Sequence, residues 1–314
     1  MGWRLERAAA FRFHRTTPMN SAEPVRLALH AMATRFELAL YGDDPARLRS
    51  AGEEAMREIE ALEAQLSLYR PESDIAWINA HASRAPVKAE PQLFALLQRA
   101  VELSRITDGA FDITVGPLMQ VWGLVGGEGK IPSGSDLESA RERVGAVHIT
   151  LNEADFTVGS SRECMQIDLG AIGKGYAIER AVEVLRESGV KSALIHGGTS
   201  TIYALGAPPD AEAWRVAVYD PVKQLALPDA LDLRDCSLSV SAVHGKSFAR
   251  DTRQYGHVID PRTGEPTNAA LLAAVWGPSP TDTDALSTAL LVLGEPGLEL
   301  LRERMPEYLG MVLK

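Results

Sequence analysis

Residues 167–185 read IDLGAIGKGYAIERAVEVL, and the rest of the chain is framed by them. A strand-like triplet, 167–169, leads into three glycines and a lysine within six residues, then into a helical pattern. Ile178, Ala181, Val182 and Leu185 fall on one apolar helix face, and Gly189 stops the pattern. Residues 192–196 read as the next strand, so 167–196 is expected to form a strand-helix-strand unit. Two common phosphate patterns fail here. Only Ala171 and Ile172 separate Gly170 from Gly173-Lys174, and Gly175 stands where a P-loop needs a hydroxyl. A dinucleotide fingerprint fails because Ile178 occupies the place of its third glycine.

Working outward, residues 25–41 (VRLALHAMATRFELALY) alternate apolar and polar as strands, broken around Met32-Ala33-Thr34. Asp43-Asp44-Pro45 supplies an N-cap and first-turn proline. The helix they open carries Leu48, Ala55, Met56, Ile59, Leu62 and Leu66, and ends near Ser67. A second helix opens at Glu90-Pro91, presents Leu93, Leu97, Ala100 and Val101, and closes at Thr107-Asp108-Gly109. The glycine-rich stretch 122–135 has no periodicity and reads as a loop. Residues 147–151 and 156–158 read as short strands, more strands follow to about 276, and a last helix covers 283–293. No repeat or linker divides the chain. The expected fold is therefore a single mixed α+β domain over 25–314, after a disordered tail at 1–24.

Composition narrows the function. Of 314 residues 46% are hydrophobic and 24% charged, the profile of an ordinary globular chain. A formal net charge of −10 argues against a nucleic-acid binder or a basic membrane-surface protein. Cys164 and Cys236 stand apart from any CxxC pattern, so neither zinc nor a disulfide framework is expected, and both read as buried small apolar residues. No apolar run reaches the ~18 residues of a membrane span. The first 20 residues hold four arginines and one acid but no signal-peptide core, and the first cysteine stands far downstream at 164. The expectation is a cytoplasmic protein with Met19 as the true start, or a periplasmic one if the N-terminus lies elsewhere.

Four segments carry candidate chemistry. In 170–175, glycines let a backbone approach a ligand, the helix N-terminus offers N–H groups to an anion, and Lys174 adds charge. The same residues also suit a tight turn with a surface lysine. In TDTDALSTALLVLG (281–294), Asp284 and Thr288 share a helix face with Ser287 beside them, an oxygen set suited to Mg²⁺. Acids at a helix start equally serve capping. In RQYGHVIDPRTGEPT (253–267), His257 at a strand end before an Asp260-Pro261-Arg262-Thr263-Gly264 turn is a candidate general base or a structural histidine. In TDGAFDITVGPL (107–118), an aromatic and an acid after a turn suit a ring or ribose, or else a hairpin with Phe111 in the core.

The order of the blocks is more telling than any one of them. Met32-Ala33-Thr34, LSLYRPESDIAWIN (66–79), TDGAFDITVGPL, IDLGAIGKGYAIERA, Gly197-Gly198, YGHVIDPRTGEP (255–266) and DALSTALLVLG (284–294) together resemble the ApbE family of flavin transferases. The resemblance runs from about residue 28 to 294. It implies FAD as donor of FMN to a threonine or serine hydroxyl of a partner flavoprotein, with release of AMP and Mg²⁺ as cofactor. It implies flavin-nucleotide contacts from Met32, Tyr69, Ala110, Phe111, Asp112, Asp168 and Lys174, and from the backbone near Val258 and Ile259. It implies a metal held by the Ala171 carbonyl, Asp284 and Thr288 with Ser287 adjacent, and His257 as base.

Three positions depart from the family's pattern. Ala33 stands where glycine is frequent, Thr199 where an acid or amide follows the glycine pair, and Ala242 where Ser-Gly is usual. Two other functions use the same residues: an FAD pyrophosphatase with water as acceptor, and an FAD-binding protein without turnover. A flavin oxidoreductase would need a second nucleotide fingerprint, and none is visible.

Overall fold

Side-chain caps start two of the long helices where the sequence places them. The computed structural model describes residues 11–13, 23–127, 129–220, 222–223, 225–227, 230–243, 247–250 and 253–314. Strands β1 (Phe11–Phe13), β2 (Val25–Ala31) and β3 (Thr34–Tyr41) precede α1 (Pro45–Leu66). The Asp44 carboxylate accepts from the Ala46 and Arg47 amides, both at 3.1 Å, and so caps α1. Then come α2 (Asp74–His81), β4 (Val87–Lys88) and α3 (Pro91–Ile106), whose cap is Glu90. Next are α4 (Gly116–Val121), α5 (Gly134–Arg141), β5 (Ile149–Asn152) and β6 (Thr157–Ser160). The motif helix α6 (Gly173–Glu187) leads to β7 (Ser192–Gly197), β8 (Thr201–Leu205), β9 (Trp214–Val218), β10 (Leu231–Leu233) and β11 (Cys236–Ala242). The chain closes with β12 (Ser247–Arg250), β13 (Arg253–Gly256), β14 (Leu272–Gly277), α7 (Pro280–Leu293), α8 (Pro296–Arg304) and β15 (Leu309–Leu313).

The main sheet has seven strands in the order β15-β14-β11-β8-β7-β3-β2, every neighbour antiparallel. Its central strands are buried on both sides because both faces are covered. Ile195, Tyr203, Leu205 and Val275 join α1, α6 and α7 in one core. Leu194, Ile202, Ala204 and Ala274 point the other way, against Val216, Val218 and Leu233 of the small β1-β9-β10 sheet. The mixed α+β architecture is as the sequence predicts, and among the described residues no helix is long and apolar enough to cross a membrane.

Several expectations need correcting. Residues 167–169 join no sheet, because that segment spends its backbone groups on a side chain and a loop, as described below. The loop expected over 122–135 ends early, since Ser133 accepts from the Asp136 amide and starts α5. Helix α7 begins at Pro280 instead of Thr283, with Ser279 as its cap. Within the 1–24 tail, residues 11–13 pair with β9, while 1–10 and 14–22, with Met19, lie outside the described residues. Cys164 is exposed and Cys236 half-buried, so neither is the core residue expected.

Candidate active site

The first turn of α7 reads Thr281-Asp282-Thr283-Asp284, and all four side chains are buried and held by different parts of the fold. Thr281 donates to Glu179 on α6. Asp282 takes a two-pronged bond from Arg99 of α3, at 2.9 and 2.6 Å, and the Tyr308 hydroxyl at 2.6 Å. Thr283 shares hydrogen bonds with Ser237 and Ser239 of β11. Asp284 accepts from the Gly175 amide (3.0 Å, Oδ2) and from Thr201 of β8 (3.1 Å, Oδ1). A helix start fastened on every side can hold one carboxylate at a fixed place.

That carboxylate faces the motif. Lys174 Nζ lies 3.5 Å from Asp284 Oδ2 and donates to the Gly170 carbonyl at 3.1 Å. Asp168 turns back on the same loop, accepting from the Gly170 amide at 2.8 Å. Burial pushes its carboxyl above the usual range, while the Gly170 amide and the Lys174 charge pull it back down. Tyr69 stands 70% exposed, and its phenol is raised by partial burial first and by the Asp168 charge second. Tyr69, Asp168, Lys174 and Asp284 thus form one continuous neighbourhood.

One of the glycines has a packing role that the sequence did not show. Gly170, Gly173 and Gly175 all keep negative φ, so none is there for a left-handed backbone. A methyl group at Gly175 would overlap the Pro280 carbonyl oxygen and stand 2.8 Å from Asp284 Cβ. Gly175 therefore lets α6 and α7 cross closely enough for its amide to reach Asp284.

The supporting residues were not visible in the sequence. The Asn79 amide donates to the Ile167 carbonyl (3.0 Å) and accepts from the Ile167 amide (2.7 Å), a side chain acting as a strand partner. The Asp168 amide donates to the Ile113 carbonyl at 2.7 Å. Glu63 accepts from the Met32 amide at 2.7 Å and from Arg70 at 3.2 Å, tying the β2–β3 turn to the segment bearing Tyr69. Such partners lie far apart in sequence and carry no local pattern that could reveal them.

Other expected residues have different surroundings. Ala110 and Phe111 are buried in the main core. The Asp112 oxygens are taken by the Thr114 amide and hydroxyl, by Ser104 and by the Ala146 amide. Phe111 thus lies in the core as the second alternative has it, but 107–115 form turns that lead into α4 and no hairpin. Ser287 is also fully buried, donating to the Asp284 carbonyl and bonding Ser241 at 2.8 Å. Thr288 is half-buried, donates to the Asp284 carbonyl at 3.3 Å and lies 3.3 Å from the Ser241 hydroxyl, which leaves one oxygen lone pair for another partner. His257 is half-buried just past β13. The Val258 carbonyl accepts from Thr267, whose hydroxyl donates to the Leu291 carbonyl of α7, and Ile259 is buried.

The departures also find places. Ala33 lies in the left-handed region, Thr199 is exposed beside Gly198, and Ala242 ends β11 opposite Leu272. The donor chemistry suits a hard cation. Gly170 O and Asp284 Oδ2 flank the Lys174 charge, although among the described residues no three His, Cys, Asp or Glu side chains come together.

A family model described as the ApbE family matches residues 32–311. The chain belongs to the ApbE family. Two relatives are each named FAD:protein FMN transferase. The one from Treponema pallidum is 33% identical over 289 residues, covering 87% of this chain and 80% of its own. That from Vibrio cholerae is 30% identical over 281 residues, covering 87% and 83%. The crystal structure of the Pseudomonas stutzeri flavinyl transferase ApbE, apo form, superposes with a TM-score of 0.81 at 28% identity, over 95% of this chain and 97% of that one. The ApbE match spans every block singled out in the sequence, from Met32 to Thr288.

Proposed function

We propose that this chain transfers the FMN half of FAD to a threonine or serine hydroxyl of an acceptor flavoprotein and releases AMP, with Mg²⁺ as cofactor. The observation that carries the reading is the buried Asp284 carboxylate, fixed by Gly175 and Thr201 and facing Lys174, inside a chain of this family. Asp284, the Thr288 hydroxyl and the Ala171 carbonyl would hold Mg²⁺, which when bound polarises a phosphoryl oxygen and steadies the leaving phosphate. Lys174 offsets pyrophosphate charge in a protein of net charge −10. One such pair at about 4 Å and an effective dielectric of about 20 is worth roughly 4 kcal/mol before desolvation. Tyr69, Met32 and Asp168 border the nucleotide, as do the backbone of Ala110–Asp112 and that near Val258 and Ile259.

In the reaction the acceptor oxygen attacks the phosphorus on the FMN side. The bond from that phosphorus to the bridging oxygen breaks, its electron pair leaves with AMP, and the acceptor's proton passes to His257. The test is incubation with Mg²⁺, FAD and an acceptor flavoprotein, followed by intact mass. We expect the acceptor to gain one FMN, and Asp284→Ala to abolish the gain while the fold persists. Near-normal transfer by Asp284→Ala at low millimolar Mg²⁺ would remove the metal assignment. Rapid FMN and AMP release without acceptor would favour the pyrophosphatase instead.

A further inference from the structure

We propose that Thr201 is the positioning residue for Asp284, held in turn by the buried Ser239 hydroxyl. The proposal rests on the reading of Asp284 as the metal-holding carboxylate. Thr201 opens β8 and is fully buried, and its hydroxyl reaches across 83 positions to Asp284 Oδ1 at 3.1 Å. Ser239, directly opposite Thr201 on β11, is fully buried too and donates to Thr201 Oγ1 at 3.3 Å. Thr283 lies 2.9 Å from Ser239 and 2.8 Å from Ser237, and Ser237 donates to the Ile202 carbonyl at 2.8 Å.

An ionised carboxylate only accepts, and each hydroxyl has one proton to give. Thr201 therefore donates to Asp284, and its oxygen accepts from Ser239. Thr283 stands behind this pair, with Ser239, Ser237 and the Pro280 carbonyl all within reach of its hydroxyl. With Thr201 on Oδ1 and the Gly175 amide on Oδ2, the carboxylate plane is set from both ends. Its remaining Oδ2 lone pair is left on the side where Lys174 stands. A merely satisfied core threonine would need any acceptor. Here the acceptor is the one carboxylate facing the motif loop. Partners of this kind behind a metal ligand typically govern affinity by 10–100-fold.

The experiment is calorimetric titration of Mn²⁺ or Mg²⁺ into the full chain without FAD. Four variants are compared with wild type: Thr201→Val, Thr201→Ser, Ser239→Ala and Asp284→Asn. Thr201→Val keeps the shape but removes the donor, and should weaken cation binding about 10–100-fold. Thr201→Ser, which keeps the hydroxyl, should bind within a few-fold of wild type. Ser239→Ala, which touches no carboxylate, should weaken binding by a smaller factor and serves where the valine variant does not fold. Asp284→Asn should abolish binding. If Asp284→Asn loses the cation while Thr201→Val and Ser239→Ala bind like wild type, Thr201 has no positioning role. A Thr201→Ser variant as weak as the valine one would also overturn the proposal, since shape would then be the cause. Wild-type binding by Asp284→Asn would instead overturn the metal assignment itself.

Discussion

Ala33 carries a side chain where the backbone disfavours one. Met32 and Ala33 form a two-residue hairpin loop, flanked by the Ala31–Thr34 pair, with φ of 51° and 56°. That geometry is a turn usually built with glycine at its second position, and a left-handed L-residue costs roughly 1–2 kcal/mol. Part of this is offset by the lower chain entropy of alanine in the unfolded state, about 0.4–1 kcal/mol. Ala33→Gly should therefore raise unfolding free energy by roughly 0.5–1 kcal/mol, read as a higher denaturant midpoint at unchanged slope. A lowered midpoint would show that the Ala33 methyl group packs usefully. The turn is fastened by the bond between the Met32 amide and Glu63, so the present residues keep strain beside the proposed nucleotide site. Lys174 makes a second case. Its identity and place between two glycines were legible in the sequence, but its partner 110 positions away was not. Lys174→Ala should weaken FAD binding on the order of tenfold, since part of the ~4 kcal/mol pair is lost to solvent screening. Unchanged affinity in a flavin-fluorescence titration would return Lys174 to a structural partner of Gly170 and Asp284.

Among the elements, the crossing of α6 and α7 matters most, because it brings the motif loop to Asp284. Two glycines in one turn of α6 separate ligand reasons from packing reasons. At Gly175 an added methyl group meets the Pro280 carbonyl and Asp284 Cβ, neither of which moves without shifting α7. At Gly173 the nearest atoms would be Leu169 Cβ at 3.8 Å and Leu66 Cδ1 at 4.0 Å, an ordinary contact. Gly175→Ala should cost at least the 1–3 kcal/mol typical of overpacking, and should loosen the carboxylate. Gly173→Ala should be neutral or stabilise by up to about 1 kcal/mol through helix propensity. Equal thermal shifts for the pair would mean that α7 gives way easily. The long helices α1, α3 and α6 were readable because each carries its own apolar stripe, with caps or stops in sequence. The short helices α2, α4, α5 and α8 were not, because one or two turns fixed by tertiary contacts leave too little periodicity. The segment 167–169 read as a strand from the alternation Ile167-Asp168-Leu169, yet its partner is the Asn79 side chain.

Across the whole molecule, the antiparallel sheet brings residues from distant parts of the chain to one carboxylate. The family resemblance made the candidate site residues legible as a set. The contacts that join them span 83 to 110 positions, and no local pattern encodes them. Conversely, Phe111 and Asp112 stand out in the sequence for reasons the fold spends on its own packing. This separation also predicts how the activity divides. Asp284, Lys174 and Asp168 gather where α6 meets α7, whereas His257 arrives from the end of β13, on the turn that Thr267 ties to the far end of α7. Binding of the donor and activation of the acceptor should then be separable. A hydroxyl is a poor nucleophile at neutral pH, and a positioned base typically contributes 10²–10⁴-fold. Histidine has a reference pKa near 6.5, so it is largely neutral and able to take the proton at physiological pH. His257→Ala should hold FAD and Mg²⁺ as wild type does, and lose about 10²–10⁴-fold in single-turnover transfer. The check is an FAD titration of the variant, followed by rapid-quench measurement of FMN on the acceptor. Transfer within a few-fold of wild type would assign the base to another group and leave His257 a structural part of its turn.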